Sequence, residues 1–250
     1  YSHYNIENDQ FTAPMAGLYY NMICTGYYSL TGGVVTTKGS TPQLGLIRWH
    51  NVHSNPDSQC RSGISQLSAG SVVSIRSEGG LYCDMDRQIQ WSMFSISDSM
   101  VDAYAFSAFR SQEFNAFNSI VPFTELVDEG SAFDPLSGSY TCPADGNYLF
   151  SVSVALSAND VLRLVLTSDN TSRGELELIR TSKVHDMLDT ISRPFFVRCT
   201  KDETIGLKLL AGRITGNTDN TLSSFVGFRY NPRDVSPVSW AVYRTTSWYE

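Results

Sequence analysis

Apolar and polar residues alternate along much of the chain. The alternation is clearest at residues 148–156, where Tyr148, Phe150, Val152, Val154 and Leu156 are separated by smaller or polar residues. It recurs at residues 162–166, 176–178 and 205–209. Because successive side chains of a β-strand point to opposite faces, a period of two predicts strands with one buried face.

Turn-forming residues separate these alternating segments. They are Asp145-Gly146, Ser168-Asp169-Asn170, Lys201-Asp202-Glu203 and Gly216-Asn217-Thr218-Asp219. Such residues favour turns for reasons of backbone conformation and local hydrogen bonding. No segment carries the amphipathic stripe of a helix, so the pattern predicts an all-β chain folded as a sandwich or a barrel.

The sequence also contains an internal repeat. Residues 11–19 (FTAPMAGLY) recur as residues 140–148 (YTCPADGNY). Residues 66–75 parallel residues 198–207, and residues 91–94 (WSMF) parallel residues 225–228 (FVGF). A repeat of this length predicts that each half of the chain forms one copy of the same fold.

The second copy resembles the C1q/TNF-like family. Residues 105–110 (AFSAFR) are similar to the family's first strand, residues 146–150 (GNYLF) match its G-x-Y-x-F strand, and residues 225–228 are similar to its final F-x-G-F strand. The first copy is more divergent, with Ala13 in place of Cys142 and Met93 in place of Gly227.

The resemblance implies two tandem C1q/TNF-like jelly-roll sandwiches that trimerise through aromatic-rich faces. We expect a first jelly roll at residues 1–98 that lacks its own first strand, and a second at residues 99–232. Residues 233–250 would then supply a first strand to a first-type module, in the same or a neighbouring chain. Trp240, Tyr243 and Trp248 align with Phe106, Phe109 and Phe114 and are the predicted residues of this assembly strand. An open sheet edge favours such completion; the alternative is a disordered tail.

Charge and hydropathy limit the classes of partner that the chain can bind. The net charge is −7 and 17% of residues are charged. No stripe of Lys and Arg is available to neutralise phosphates, which argues against nucleic acid. No apolar run approaches the roughly 20 residues of a membrane span. The chain begins at Tyr1 without a signal-like segment, and we therefore expect a processed, secreted, extracellular product.

Five cysteines lack the spacing of a metal site: Cys24, Cys60, Cys83, Cys142 and Cys199. We predict a Cys60–Cys83 disulfide, because both residues lie in polar, loop-like sequence. Whether Cys142 pairs with Cys199 stays open, since spacing alone does not fix connectivity. Asn170-Thr171-Ser172 is an acceptor sequon, so Asn170 is the predicted glycosylation site of a secreted glycoprotein, although sequons also arise by chance.

The search for catalytic chemistry finds no nucleophile elbow, P-loop or zinc-binding motif. We therefore predict no catalytic residues, no enzyme activity and no organic cofactor. Asp84, Asp86 and Asp219 lie in matching loops and are candidate calcium ligands. Calcium needs about six to eight converging oxygens, so the alternative is a pair of solvated loops.

A cluster of aromatic residues admits two interpretations. It consists of Phe106, Phe109, Phe114, Phe117 and Phe123. In the first interpretation, these residues form the core and the trimer contacts. In the second, they stack on a sugar or a partner, with their aromatic faces beside polar loops.

The leading functional hypothesis is a secreted C1q-domain recognition protein of innate immunity. It would bind glycans, microbial surfaces or another cell-surface ligand in a lectin-like manner, and self-association into a trimer or larger homo-oligomer would provide multivalency. The alternatives are a structural extracellular protein that assembles by strand exchange and a TNF-like signalling ligand. Fold alone does not decide among them.

Overall fold

The computed structural model describes residues 4–5, 10–27, 32–38, 41–49, 57–78, 90–96, 104–156, 161–181, 189–216 and 223–230. Within them the chain forms strands and no helix, so the predicted all-β class is confirmed. The strands are β1 (Tyr4–Asn5), β2 (Gln10–Thr12), β3 (Gly17–Tyr27), β4 (Gly32–Lys38), β5 (Thr41–Trp49), β6 (Asp57–Leu67), β7 (Val72–Glu78), β8 (Gln90–Ser95), β9 (Ala105–Phe109), β10 (Ser119–Ile120), β11 (Thr124–Glu129), β12 (Phe133–Asp134), β13 (Ser139–Thr141), β14 (Gly146–Leu156), β15 (Arg163–Ser168), β16 (Leu176–Arg180), β17 (Asp189–Cys199), β18 (Thr204–Ala211) and β19 (Ser224–Tyr230).

The second half of the chain, residues 104–230, is a jelly-roll-like sandwich of two antiparallel sheets. One sheet has the order β12-β13-β18-β15-β16, with β10 also paired to β18, and the other has the order β11-β9-β19-β14-β17. The alternating apolar residues of β14 fill the space between the sheets. There Phe106 of β9 stacks on Phe133 and Tyr140, with ring centroids 4.6 and 4.8 Å apart.

The first half, residues 4–96, also forms two antiparallel sheets. Their orders are β1-β2-β7-β4-β5 and β6-β3-β8. Its described core is smaller and consists of Ala13, Tyr19, Leu67 and Val73, with Phe11 and Met93 partly buried against them.

The strand registers of the two halves correspond at the positions that the sequence repeat aligns. In the second half β14 lies between β17 and β19, as β3 lies between β6 and β8 in the first. The equivalent pairs are Gly17–Leu67 and Gly146–Cys199, Tyr20–Phe94 and Leu149–Phe228, and Phe11–Val73 and Tyr140–Ile205.

The turn before the central strand is also the same in both halves. The Tyr19 hydroxyl donates to the carbonyl oxygen of Met15, and the Tyr148 hydroxyl donates to that of Ala144, each at 2.8 Å. Each tyrosine therefore fastens the turn that leads into its own strand.

A neighbouring turn repeats with different residues. Gly70 and Asp202 occupy equivalent left-handed positions, with φ of +77° and +68°. Glycine adopts that conformation without steric cost, and aspartate is among the residues that tolerate it.

The halves differ at one sheet edge. In the second half β9 and β11 extend the sheet beyond β19. Within the described part of the first half, β8 pairs with β3 alone. Among the strands that the structure describes, β8 is thus an edge strand, whereas its counterpart β19 is internal.

Candidate functional site

The two halves meet through equivalent faces of their sheets. Leu18, Tyr20 and Ile64 of the first half form one apolar cluster with Ala105, Val226 and Phe228 of the second. The Tyr20 ring lies 5.3 Å from that of Phe94 and 5.4 Å from that of Phe228, centroid to centroid. We call this contact the junction, and burial of its apolar side chains stabilises it.

Polar side chains form the rest of the junction. The buried Arg61 donates from Nε to Ser224 Oγ at 3.3 Å. Burial lowers the pKa of Arg61 to about 9, so its guanidinium remains charged at pH 7. Ser192 Oγ contacts the carbonyl oxygen of Cys60. Hydrogen bonds inside a buried contact favour one docking geometry over others.

Tyr20 belongs to both parts of the junction. Burial raises the pKa of its hydroxyl, and the neighbouring hydroxyls of Ser62 and Ser151 partly offset this effect. The hydroxyl therefore stays protonated, and it lies near one serine of each half.

Part of the second half's face continues beyond the junction and is exposed. Phe196 and Tyr230 lie on strands either side of β14, and their ring centroids are 6.0 Å apart at 75°. They are 39% and 37% exposed. We call Phe196 and Tyr230 the aromatic pair; the register places Asn147 of β14 beside Tyr230 and Arg198.

A polar turn flanks the aromatic pair. The Lys201 amide donates to Asp145 Oδ1 at 2.6 Å, and Arg229 Nη2 donates to the Asp145 carbonyl at 2.8 Å. Arg198, Lys201 and Asp145 are exposed. Aromatic faces beside hydrogen-bonding groups suit a ligand with both apolar and hydroxyl-bearing surfaces, because rings stack while polar groups fix orientation.

Glu203 supports this turn from inside. It is buried, and it accepts hydrogen bonds from Arg173 Nε at 2.7 Å, Ser168 Oγ at 2.7 Å and the Thr200 amide at 3.0 Å. Burial raises the pKa of the Glu203 carboxyl, but the bonds from Arg173, Ser168 and Thr200 outweigh it and hold the pKa at about 2. Its role is structural, because the ion pair ties Arg173 to the turn at residues 200–203.

Cys142 and Cys199 lie together in the core of the second half as buried free thiols. A hydrogen bond with Cys199, followed by burial, raises the pKa of the Cys142 thiol. In this structure the two thiols are therefore in contact without a disulfide bond.

Cys60 is disulfide-bonded. Its predicted partner Cys83 lies outside the described residues, so the Cys60–Cys83 bond stays a prediction. The register places Cys24 of β3 directly opposite Cys60 of β6, which makes Cys24 a second candidate, because directly opposed residues have a suitable separation. Peptide mapping without reduction will separate the two.

The sequon occupies an exposed turn between β15 and β16. Asn170 Oδ1 accepts from the Ser172 amide at 3.2 Å and from the Ser172 hydroxyl at 2.6 Å. Asn170 is half-buried and Thr171 and Ser172 are exposed. This turn is compatible with glycosylation of Asn170, which stays a prediction.

Several predicted site residues lie outside the described residues. They are the candidate calcium ligands Asp84, Asp86 and Asp219 and the assembly-strand residues Trp240, Tyr243 and Trp248. Among the residues that the structure does describe, no group of three or more His, Cys, Asp or Glu side chains could hold a metal ion. Calcium binding thus stays a prediction.

The five residues of the aromatic cluster that the sequence indicated lie in different environments in the fold. Phe106 and Phe123 lie in the core, Phe109 and Phe114 are half-buried, and Phe117 is 64% exposed. Sequence reasoning missed the aromatic pair. Its signal was Phe195-Phe196, since adjacent aromatics in one strand must point to opposite faces.

Comparison with known proteins identifies the family. The C1q domain model matches residues 105–229, half of the chain, and the chain belongs to the C1q domain family. C1q/TNF-like families are non-enzymatic recognition or ligand proteins. Their domains typically form trimers, and C1q domain proteins are generally extracellular or secreted.

Solved structures with similar folds cover about half of the chain. The globular domain of a zebrafish complement 1qA protein is 20% identical, with 52% of this chain and 98% of that chain covered and a TM-score of 0.42. Murine APRIL at pH 5.0 is 10% identical, with 52% and 100% covered and a TM-score of 0.42. Eiger TNF from S. frugiperda is 12% identical, with 56% and 99% covered and a TM-score of 0.41.

Membrane insertion through a helix has no support in the described residues, where no helix is long and apolar enough to cross a bilayer.

Proposed function

We propose that this chain is a secreted recognition protein of innate immunity with two C1q-like modules, which binds glycans of microbial or cell surfaces in a lectin-like manner. The matching registers of the two halves support the two-module organisation. The proposal assigns no catalytic residue and no cofactor; calcium at Asp84, Asp86 and Asp219 is an optional addition to it.

The aromatic pair is the observation that carries the ligand class. Phe196 and Tyr230 are exposed beside the polar side chains of Asn147 and Arg198. Sugars present C–H faces to aromatic rings and hydroxyls to polar groups, so this surface fits a carbohydrate better than a wholly apolar ligand.

Multivalency would follow from assembly of several chains. The face that carries the aromatic pair in the second half is closed by the junction in the first, where Leu18 and Ile64 are buried. Among its described residues one chain therefore offers one such surface, and a trimer or larger homo-oligomer would combine several weak contacts.

A glycan array tests the proposal. We expect the full chain to bind a subset of glycans, and Tyr230→Ala to reduce binding at least tenfold, since buried aromatic contacts commonly contribute more than about 1 kcal/mol. Phe117→Ala is the matched control, because Phe117 is an exposed aromatic outside this surface. An array with and without a chelator tests calcium.

Equal losses in Tyr230→Ala and Phe117→Ala would contradict the site. Binding to no glycan by a correctly folded oligomer would contradict the lectin-like function itself.

A structural role in extracellular assembly is the second candidate. The outer edge of β8, which has no partner strand among the described residues, favours it, because exposed sheet edges can accept strands from other chains. Light scattering that shows large polymers, dissolved by truncation after Asn231, would support this candidate over the recognition protein.

A further inference from the structure

The contact between Cys142 and Cys199 lies where the two sheets of the second half come together. Cys142 directly follows β13 of one sheet, and Cys199 is the last residue of β17 of the other. Both side chains are buried in the core cluster between the sheets. A bond between the two sulfur atoms would therefore join the sheets across the core.

Backbone hydrogen bonds hold both cysteines beside one turn. The Cys142 amide donates to the Glu203 carbonyl oxygen, and the Asp202 amide donates to the Cys142 carbonyl oxygen, each at 2.8 Å. The Glu203 amide donates to the Thr200 carbonyl oxygen at 3.1 Å and closes the turn that begins directly after Cys199. We call this arrangement of residues 142 and 199–203 the turn frame. It fixes the position of one cysteine backbone relative to the other.

The first half has the same turn frame without either cysteine. Ala13 and Leu67 occupy the positions of the two cysteines. The Ala13 amide donates to the Ser71 carbonyl oxygen, and the Gly70 amide donates to the Ala13 carbonyl oxygen, again each at 2.8 Å. Ala13 and Leu67 are buried in one apolar cluster. The two halves therefore differ at both positions together while the backbone arrangement is the same.

This difference distinguishes a bonding pair from a packing pair. An apolar pair fills the position in the first half, so packing alone does not account for two adjoining cysteines in the second. We infer that Cys142 and Cys199 form a disulfide bond in the secreted protein, and that the structure shows their reduced form. The inference goes beyond ligand binding and uses only the secreted location from the proposed function, because disulfides form and persist in oxidising compartments.

The bond would form by thiol–disulfide exchange with a disulfide oxidant, either oxidised glutathione or a protein disulfide. The thiolate of one cysteine attacks a sulfur of the oxidant, forms a mixed disulfide and releases the first oxidant thiolate. The thiolate of the other cysteine then attacks the protein sulfur of the mixed disulfide and releases the second oxidant thiolate. The two cysteines lose two protons and two electrons, and the oxidant is reduced to two thiols.

Burial determines when this reaction takes place. Both thiols are buried in the folded second half, and the contact with Cys199 together with burial raises the pKa of the Cys142 thiol. Little thiolate is then available for attack, so the folded, reduced chain should react slowly. We expect the bond to form during folding, before β17 closes over the core.

The bond would strengthen the part of the second half that carries the exposed face. Cys199 directly precedes the turn at residues 200–203, which flanks the aromatic pair, and Cys142 is hydrogen-bonded to that turn. In the chain-entropy model, a disulfide stabilises a fold by restricting the unfolded chain, and more so when it closes a long segment. The first half, whose equivalent face is buried in the junction, has the apolar packing of Ala13 and Leu67 at this point.

Refolding of the reduced full chain in a mixture of oxidised and reduced glutathione tests the bond. The folded product is denatured and its free thiols are alkylated. Peptide mapping without reduction should then recover Cys142 and Cys199 in one linked peptide pair. The matched control is the double variant Cys142→Ala with Cys199→Leu, which carries the residues of the first half and should refold without that link. Recovery of both cysteines as alkylated thiols, or linked to other cysteines, from the folded wild-type chain would overturn the inference.

Denaturation of the same two proteins measures what the bond contributes. Without a reductant, Cys142→Ala with Cys199→Leu should raise the unfolding equilibrium constant about a hundredfold relative to wild type. With a reductant present throughout, most of that difference should disappear, because wild type then also lacks the bond. A difference that is the same with and without reductant would show that packing, and not a disulfide, distinguishes the two proteins.

Transfer of the cysteines to the first half tests the turn frame itself. Ala13→Cys with Leu67→Cys should form a disulfide on refolding of the full chain, because the backbone arrangement is the same. The matched control is Ala13→Cys with Gln66→Cys, since Gln66 is exposed and its side chain points to the opposite face of β6. We expect at least tenfold more linkage in the first pair, as read by peptide mapping. Equal linkage of both pairs, or of neither, would contradict the argument from the turn frame.

Discussion

The same sheet face is closed in one half of this protein and partly open in the other. In the first half it carries Leu18 and Ile64, which the junction buries. In the second half the equivalent positions hold Asn147 and Phe196, and Phe196 remains exposed. The strand registers correspond at these positions, so the faces differ there in their side chains and not in their pairing. Equivalent faces of the two halves can therefore either dock a neighbour or be exposed to solvent.

The turn beside that face also differs between the two halves. The first half has Gly70 and Ser71 where the second has Asp202 and Glu203. Within the part of the chain that the structure describes, a buried ion pair between Glu203 and Arg173 fixes the turn of the second half, and the first half has no counterpart to it. The half with the open face thus has the more rigidly supported polar turn.

Removing Phe228, the largest wholly apolar side chain of the junction, should have the largest effect. Phe228→Ala leaves a cavity between the halves, and we expect a loss of about 3–5 kcal/mol in the free energy of unfolding. Urea denaturation measures this, with Phe117→Ala as the exposed control, which should change stability by less than about 0.5 kcal/mol. A small effect of Phe228→Ala would mean that the junction contributes little to stability.

Acid should weaken the second half through Glu203. Its carboxyl has a pKa of about 2 in the folded chain and about 4.3 when unfolded. The stabilisation is therefore complete above about pH 4.5 and is lost as the pH falls towards 2. We expect on the order of 2 kcal/mol from this group.

The variant Glu203→Gln isolates that contribution. Its unfolding free energy should be lower than wild type at pH 6, and the gap should narrow by pH 2.5. The first half offers a control in Ser71→Ala, since Ser71 does not titrate in this range. A constant gap across the pH series would contradict the assignment.

The smallest effects should be the most alike. Tyr19→Phe and Tyr148→Phe each remove one hydroxyl that donates to a carbonyl four residues earlier. Each should cost about 1 kcal/mol, and thermal denaturation of the two variants should give closely similar shifts. Clearly unequal shifts would indicate that the two turns are not equivalent in energy.

The sequence predicted the strands well and the surfaces poorly. The alternation of apolar and polar residues located β14. The repeat aligned Tyr20 with Leu149, and in the structure these two residues pair with the equivalent residues Phe94 and Phe228. The alternation of apolar and polar residues does not show which part of the chain covers the outer apolar face of a sheet, so the sequence did not predict the junction. The aromatic pair was missed because Phe196 and Tyr230 belong to strands separated by β14, and only the register brings them together.

The hydrogen bond between Arg61 and Ser224 joins residues 163 positions apart in the chain. During synthesis the first half leaves the ribosome well before its docking partner exists. At about 5–20 residues per second, the apolar face around Leu18 and Tyr20 stays uncovered for roughly 10–30 seconds. The nascent first half is therefore the species most exposed to aggregation, and chaperone binding is expected at that stage of translation.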